Sequence, residues 1–371
     1  MEIRKDEENL KNFFLLPFKI YKGDPYWVPP LISEVKEILG EKNPFWKHAE
    51  KVIFTCYKNG EIVGRIVGII DYNHINFHKE KCGFFGFFEV VNDLDVAKRL
   101  FTYVEEWAKE KGMEILRGPM NPSTNDECAL LIEGFASPPF LMMTYNPPYY
   151  INLIEKCGYK KAKDLYAWLM PVVNGPVERL KRLSEKVKEK FPKLKVREID
   201  LKNFRREVDI VLDIYNSAWE KNWGFVPMTK EEIEHMAKKL KPLVDPGLLQ
   251  IAFYENDPAG FLMALPDYNQ VIKMLNGRLT PIGIIKLLYY APKIRTCRLL
   301  TLGIKEKYRK IGIDVLLYWH SLDYALKKGY KWCEFSWILE DNILTNRAAE
   351  MMGGMLYKRY RIYEKELKNE K

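Results

Sequence analysis

Cysteine and histidine are scarce in this 371-residue chain, and neither is spaced as metal ligands usually are. The six cysteines are scattered, without a Cys-x-x-Cys pair. Of the five histidines, His74 and His78 stand four apart, but no helical pattern places them on one face. We therefore expect no metal site, and reduced cysteines of the kind found in cytoplasmic proteins.

Long apolar runs are also absent. No stretch reaches the roughly 18 residues that a membrane span requires, and the first residues, MEIRKDEENLKNFF, contain neither a secretory apolar region nor a cleavage site. We expect a cytoplasmic protein without a membrane partner. The oligomeric state is left open by the sequence.

An excess of negative charge is missing as well, since 59 Lys and Arg stand against 50 Asp and Glu, for a formal charge of +9. A basic balance suits either nucleic acid or an acidic small ligand such as CoA. The cations are interleaved with acids, as Lys181–Lys195 is with Glu185 and Glu189. This interleaving favours a solvated surface over a nucleic-acid track.

What the chain does contain is an internal repeat. The length of the chain alone already suggests two domains. Two hairpin strands share the pattern Gly, six residues, Asp-Tyr-Asn, and two helices end in Gly with an aromatic residue five positions earlier. The glycine pairs are offset by 196, 217 and 195 residues: Gly64 and Gly260, Gly112 and Gly329, Gly158 and Gly353. The larger middle offset indicates extra residues in the second copy before its helix ends.

The second copy also contains a segment typical of a phosphate site. An apolar strand, Leu299–Ile304, leads into a basic turn, and Gly312 opens an amphipathic helical pattern. Such a junction aims backbone N–H groups and the positive end of the helix dipole at one spot.

Residues Arg309–Ile313 resemble the acyl-CoA loop of the GNAT superfamily of N-acetyltransferases, Arg/Gln-x-x-Gly-x-Gly/Ala. The chain departs from this pattern at Asp314. In the first copy the strand Phe84–Val91 runs straight through Asp93 into a helix, without such a loop, so we expect no CoA site there.

The resemblance implies an α/β (α+β) fold of two tandem GNAT-like domains, each a mixed, mostly antiparallel sheet flanked by helices. We place a degenerate N-terminal domain at 1–175, a linker helix at 176–195 and an acyl-CoA-binding domain at 196–371. The two-copy arrangement is also similar to mycothiol synthase and the FemX-type transferases.

The resemblance further implies which residues contact acetyl-CoA or another acyl-CoA. Asn342 stands eleven residues before Gly353, as the CoA-contacting Asn does in the family, although an ordinary N-cap explains it as well. The expected cofactor-binding residues are Leu302, Gly303, Ile304, Tyr308, Arg309, Lys310, Gly312, Ile313, Asn342 and Asn346.

The chain departs from the family at the acid of the reaction and offers one candidate base. Many GNAT enzymes have a tyrosine acid seven residues after the Asn, where this chain has Ala349. Glu334, on the strand Trp332–Trp337, is the candidate general base, although an outward-facing strand carboxylate is the default interpretation.

Two segments rich in aromatic and amide residues are candidates for the acceptor site, with an ordered loop and an interface plug as the structural alternatives. They supply the expected substrate residues Asn121, Asn125, Asp126, Tyr145, Asn146, Tyr149, Tyr150, Trp219, Asn222 and Trp223.

The resemblance implies an acyl-CoA-dependent N-acyltransferase, which acetylates an amine of a small molecule or peptide by direct attack. One alternative is a FemX-like transferase that uses charged tRNA. Another is a non-catalytic module that binds CoA or another ligand, which Ala349 and Asp314 would favour. The acceptor is beyond what the sequence tells.

Overall fold

The computed structural model describes residues 1–5, 10–219 and 222–367. In the first half of the chain the strands are β1 Glu2–Lys5, β2 Ala49–Lys58, β3 Glu61–Asp71, β4 Cys82–Val90, β5 Ile115–Gly118, β6 Met120–Asn121, β7 Glu127–Cys128, β8 Leu130–Glu133 and β9 Lys160–Pro171. The helices are α1 Lys11–Ile20, α2 Ile32–Leu39, α3 Tyr72–His78, α4 Leu94–Glu110 and α5 Tyr149–Lys156.

The second half of the chain also contains strands and helices in alternation. Its strands are β10 Leu194–Glu198, β11 Leu249–Tyr254, β12 Asp257–Pro266, β13 Thr296–Ile304, β14 Trp332–Leu339 and β15 Met355–Glu366. Its helices are α6 Val177–Lys190, α7 Phe204–Ala218, α8 Lys230–Leu240, α9 Asn269–Leu275, α10 Pro281–Tyr290, α11 Ile313–Lys328 and α12 Ile343–Met351. Among the described residues, no helix has the length and apolarity needed to cross a bilayer.

The chain forms two compact units that are assembled from separate stretches. One contains 1–165, 271–287 and the described residues from 358 onward, and the other contains 166–270 and 288–357. These units are defined by contacts in space. The sequence boundaries at 1–175 and 196–371 therefore stay a prediction.

In the first unit the strands lie in the order β1-β2-β3-β4-β5-β15, with β8 also beside β15. β4 and β5 are parallel, from Cys82–Ile115 to Phe84–Arg117, while β2, β3 and β4 pair antiparallel. Helix α4 covers this sheet because its apolar residues recur at helical spacing, and Val96, Leu100 and Val104 are fully buried. Replacing such a core leucine by alanine costs about 2–5 kcal/mol.

In the second unit the order is β9-β14-β13-β12-β11-β10. β13 and β14 are parallel, and β10 to β13 pair antiparallel. Each unit thus has one parallel strand pair joined by a helix, α4 or α11, within a mostly antiparallel set. This arrangement confirms the predicted fold class.

The repeat is also visible in local geometry. Asp71 caps α3 by accepting from the backbone N–H of Asn73, and Asp267 accepts from Asn269 at the start of α9. The repeat glycines Gly112 and Gly329 follow α4 and α11 with φ angles of 79° and 82°. A residue with a side chain rarely adopts this left-handed conformation, which explains why both copies have glycine there.

Candidate active site

Strands β13 and β14 run parallel and then separate. Their paired register extends from Thr296–Trp332 to Leu299–Phe335, and β13 continues to Ile304 beside β12. A bulge at Leu300 interrupts the pairing with β12. Since alternate backbone groups of a strand face opposite sides, some of those in Leu300–Ile304 face the side from which β14 has diverged.

The loop after β13 ends at a helix whose first turn lacks a side-chain cap. Gly312 precedes α11 with a φ of 88°, and Lys310 is left-handed at 70°. A Cβ on Gly312 would lie 2.5 Å from Val187, so the packing of α6 requires a glycine here. The first N–H groups of α11, at positive dipole potential, suit an anion.

The charged side chains of this loop hold it in place. Asp257 accepts hydrogen bonds from Lys307 at 2.6 Å and from the Tyr308 hydroxyl at 2.7 Å. The hydrogen bond from Lys307 lowers the pKa of Asp257 to about 2. Arg309 donates to the carbonyl oxygens of Ala218, at 2.8 Å, and Ile304, at 3.3 Å. The anion-binding potential of the loop therefore lies in its backbone and in exposed Lys310.

The structure brings together two residues that were predicted separately, one for the cofactor and one for the substrate. A Cβ on Gly303 would lie 2.1 Å from the Trp219 ring, so the indole packs directly on the β13 backbone. Trp219 also packs edge-on against Phe261 of β12. The aromatic segment after α7 thus lies at the diverging end of β13.

Glu334 does not face outward, contrary to the default interpretation of a strand carboxylate. It is fully buried, and it accepts hydrogen bonds from the hydroxyls of Ser336, at 2.6 Å, and Tyr357. The guanidinium of Arg298 lies 3.7 Å from the carboxylate and donates to the Ser336 hydroxyl at 2.9 Å. An apolar interior tolerates a carboxylate only with such partners.

We call Arg298, Glu334, Ser336 and Tyr357 the Glu334 network. Arg298 and Glu334 are register partners in the parallel pair, just before the strands diverge. Arg298 and Ser336 were not among the residues predicted from the sequence. A signal was present, since each of two apolar strands has a charged residue directly after a cysteine, and the two charges are opposite.

Asn342 and Asn346 begin the helix that follows β14. Asn342 caps α12 by accepting from the Thr345 N–H at 3.2 Å. The Asn346 side chain donates to the Leu339 carbonyl and accepts from the Trp168 indole at 3.0 Å. Both amides thus have structural partners, and their contact with CoA stays a prediction.

In the first copy, the equivalent space beside β4 is occupied by β6. A Cβ on Gly86 would lie 1.6 Å from the Met120 carbonyl oxygen, and the Asn121 side chain accepts from the Phe87 N–H at 2.6 Å. Asp93 caps α4 by accepting from the N–H groups of its first turn. A side chain thus takes the position that an anion would need.

The other residues predicted for the acceptor site in the first copy have contacts within their own unit. Tyr149 and Tyr150 tie α5 to β4, through the Val90 carbonyl and the Glu89 carboxylate. Burial raises the pKa values of Glu89 and of both tyrosines. Their role in substrate binding stays a prediction. The same holds for the four predicted residues that the next sentence describes. Asn146 pairs with the backbone of Leu131, Tyr145 donates to Asp24, Asp126 accepts from Ser123, and the Asn125 backbone donates to Ser123.

The remaining predicted residues lie in the second unit. Leu302 is half-buried opposite Leu262, and Ile313 is buried at the start of α11. The Asn222 N–H donates to the Trp219 carbonyl, and Trp223 is half-buried. Glu220 and Lys221, which stand between Trp219 and Asn222 in the chain, lie outside the described residues.

One cluster of the described residues has metal-ligating side chains. His74, Glu80 and Cys82 place their ligand atoms within 4.8 Å of one another. Arg117 grips both carboxylate oxygens of Glu80, at 2.8 and 2.9 Å, and burial raises the pKa of the Cys82 thiol well above its ordinary value. A guanidinium at the carboxylate and a protonated thiol both oppose a cation.

Comparison with models of known protein families gave no match. Among curated proteins, YghO of Escherichia coli K12 is 37% identical over 369 residues, which cover 98% of this chain and 94% of that protein. The bacterial ceramide synthase of Caulobacter vibrioides is 35% identical over 372 residues, which cover 98% of this chain and 96% of that protein.

Among solved structures, a tandem GNAT protein from the clavulanic acid biosynthesis pathway superposes with a TM-score of 0.58. It is 12% identical in sequence, and the match covers 100% of this chain and 99% of that one.

Proposed function

Since this chain belongs to the same family as YghO and the bacterial ceramide synthase, and has the tandem GNAT fold, we propose that it transfers an acyl group from an acyl-CoA to a primary amine. The reaction would take place in the second copy. The observation that carries this proposal is the contrast between the copies at equivalent positions.

In the second copy, β13 and β14 diverge and α11 begins at a glycine. In the first copy, β6 lies against β4 and Asp93 caps α4. The first copy is thus filled by its own chain at the position where the second copy has diverging strands and an uncapped helix, which supports the second copy as the site of an anionic, extended ligand.

The residues present in the second copy fit an acyl-CoA. The N–H groups at the start of α11 and the exposed Lys310 would hold the pyrophosphate. Backbone groups of Leu300–Ile304 on the open side would bind the amide-containing arm, and N–H groups there would polarise the acyl carbonyl. Acyl-CoA supplies an activated thioester.

The Glu334 network is a proton acceptor for the amine. As the amine nitrogen attacks the acyl carbon, a C–N bond forms and the C–S bond breaks. The nitrogen loses one proton to this network, and CoA leaves as a thiolate that takes its proton from water. Glu334 is buried, but Tyr357 is half-buried and donates to it. We propose that the proton passes through the Tyr357 hydroxyl to the Glu334 carboxylate, which Ser336 and Arg298 hold in position.

The name of one relative suggests the substrate class. Ceramide is the amide of a fatty acid with a long-chain amino alcohol. We therefore propose a long-chain amino alcohol as acceptor and a fatty acyl-CoA as donor. Acetyl-CoA, the donor expected from the sequence, is the shortest member of the same series of acyl-CoAs.

The test is turnover with acyl-CoAs from acetyl to palmitoyl and a long-chain amino alcohol, with the amide detected by mass spectrometry and free CoA by a thiol reagent. We expect Glu334→Gln to lower kcat by about 10²–10⁴-fold while affinity for acyl-CoA is kept. Tyr357→Phe should act in the same direction. A matched control is Tyr363→Phe, on the first-unit part of the same strand β15.

Binding provides a second test, by calorimetry with CoA. Lys310→Glu, at an exposed loop position, should weaken CoA binding. The proposal is wrong if the folded protein binds no acyl-CoA, or if this variant binds it as the wild type does. Bound CoA without turnover on any amine would favour a non-catalytic module, and steeply salt-dependent tRNA binding would favour the aminoacyl-transfer alternative.

A further inference from the structure

Helix α10 exposes its apolar side. A surface helix normally turns its apolar stripe towards the core, but here Gly283 is buried and Leu287 half-buried on the inner side. The exposed fractions are 69% for Ile282, 66% for Ile285, 70% for Leu288 and 59% for Tyr289. These four residues, which we call the apolar face of α10, lie on one side of the helix.

Helix α10 is an addition to the second copy. In the first copy, α3 is followed by β4 after the three residues 79–81, whereas α9 is separated from β13 by residues 276–295, which include α10. This insertion, of 20 residues where the first copy has three, accounts for 17 of the 21 residues by which the offset between the copies rises from 196 to 217. In sequence the apolar face thus belongs to the second copy, although Ile282 and Ile285 group with the first compact unit in space. No equivalent helix lies at this place in the described first copy.

The stretch of sequence that contains α10 has charges of one sign. The chain contains no Asp or Glu between Asp267 and Glu306, although acidic residues are frequent elsewhere. Arg278, Lys286 and Lys293 are exposed around the helix, and the Lys293 ammonium lies 3.2 Å from the centre of the Tyr289 ring. A broad apolar face bordered by cations and aromatic rings complements an anionic phospholipid surface.

The length of the helix decides how it would meet a bilayer. Ten residues of α10 span about 15 Å, half of the roughly 30 Å hydrocarbon core. Such a helix lies in the interface, with its apolar side chains among the acyl chains and its cations at the lipid phosphates.

We infer that the apolar face of α10 docks this protein on anionic membranes. This inference departs from the expectation that the protein has no membrane partner, which considered only runs long enough to span. Docking itself is independent of the acyl transfer. The purpose that we give to docking, which is to take a long-chain amine from the bilayer, rests on the proposed function.

The experiment is flotation of the full-length protein with vesicles of phosphatidylcholine alone or with phosphatidylglycerol. We expect binding to the anionic vesicles, with a loss of about five-fold for each of Arg278, Lys286 and Lys293 changed to Gln. Ile282→Ser with Ile285→Ser should weaken binding at least tenfold, while the unfolding midpoint is unchanged because both side chains are exposed.

Two control variants match these changes elsewhere on the surface. Val173→Ser removes an apolar side chain that is 67% exposed, and Lys186→Gln removes a cation from α6, where acids alternate with bases. Both should float as the wild type does. Docking by α10 is wrong if the wild type does not float with anionic vesicles at low salt, or if the Ile282 and Ile285 double variant floats equally well.

A second copy of the chain is the other occupant to consider. If sedimentation shows a wild-type dimer that the double variant dissociates, while vesicle binding is the same for both, the face is a self-interface and the inference fails. Activity separates the two proposals. Variants of α10 should lose turnover of a vesicle-embedded amine but keep that of a short, water-soluble one, and absence of turnover on both would contradict the acyl transfer alone.

Discussion

Asp314 offers the sharpest test of where the anion binds. It is exposed and is the second residue of α11, within one 5.4 Å turn of the N-terminus at which we propose the pyrophosphate. Like charges repel by about 1 kcal/mol at 4 Å in water. A pyrophosphate of about two charges, at roughly twice that separation, would experience a similar repulsion. Asp314→Asn should therefore tighten CoA binding about five-fold.

The same substitution should make the protein slightly less stable. A carboxylate in the first turn of a helix is favoured by the dipole by about 0.3–1 kcal/mol, and Asn forfeits this. Asp95 is the second residue of α4, also exposed, and provides a matched control in the first copy. Asp95→Asn should reduce the free energy of unfolding by a similar amount and leave CoA binding unchanged.

Calorimetry at 0.1 M and 1 M salt measures the effects of Asp314→Asn and Asp95→Asn on CoA binding. The gain from Asp314→Asn should almost disappear at 1 M, where the Debye length is about 3 Å. The reasoning is refuted if the folded Asp314→Asn variant binds CoA no more tightly than the wild type at low salt. It is equally refuted if Asp95→Asn gives the same gain.

Two further predictions concern the packing of β4 and the anchoring of the β13 loop. Gly86→Ala should lower stability by about 3 kcal/mol or more in urea unfolding, because its Cβ would meet the Met120 carbonyl at 1.6 Å. Gly83→Ala is the control and should cost much less, because its nearest contact would be the flexible Met113 side chain at 3.3 Å. The hydrogen bond from Lys307 lowers the pKa of Asp257 to about 2, so its contribution is complete above the unfolded value near 4 and is lost as the pH falls through about 2. Its side chain is 37% exposed, so we expect less than about 1 kcal/mol; Asp257→Asn should remove this acid dependence, and an unchanged profile would contradict the assignment.

The duplicated architecture could be predicted because its signals are local. An Asp that caps the helix after a strand, and a glycine that ends a helix at positive φ, depend on a few neighbouring residues. Asp71 and Asp267 show this, since they occupy the same local position in both copies. The mixed, mostly antiparallel sheets followed from the family resemblance.

The buried network at β14 could not be predicted in the same way. Whether Glu334 faces solvent depends on what covers that side of the strand, and its partner Tyr357 is 23 residues away in sequence. The exposure of Ile282 and Leu288 could not be predicted for the same reason. An apolar helix is normally read as core, and only the tertiary structure shows that this face is uncovered.

The first compact unit depends on a strand that is translated after the whole second unit. Residues 359–366 of β15 pair with β5 and β8, and Tyr363 is fully buried in the core around α4. On the ribosome, one edge of the sheet in the N-terminal copy therefore stays unpaired until the second unit has been translated. A truncated product that ends near residue 175 would lack this strand altogether, so we expect it to aggregate or be degraded unless a peptide corresponding to β15 is supplied in trans.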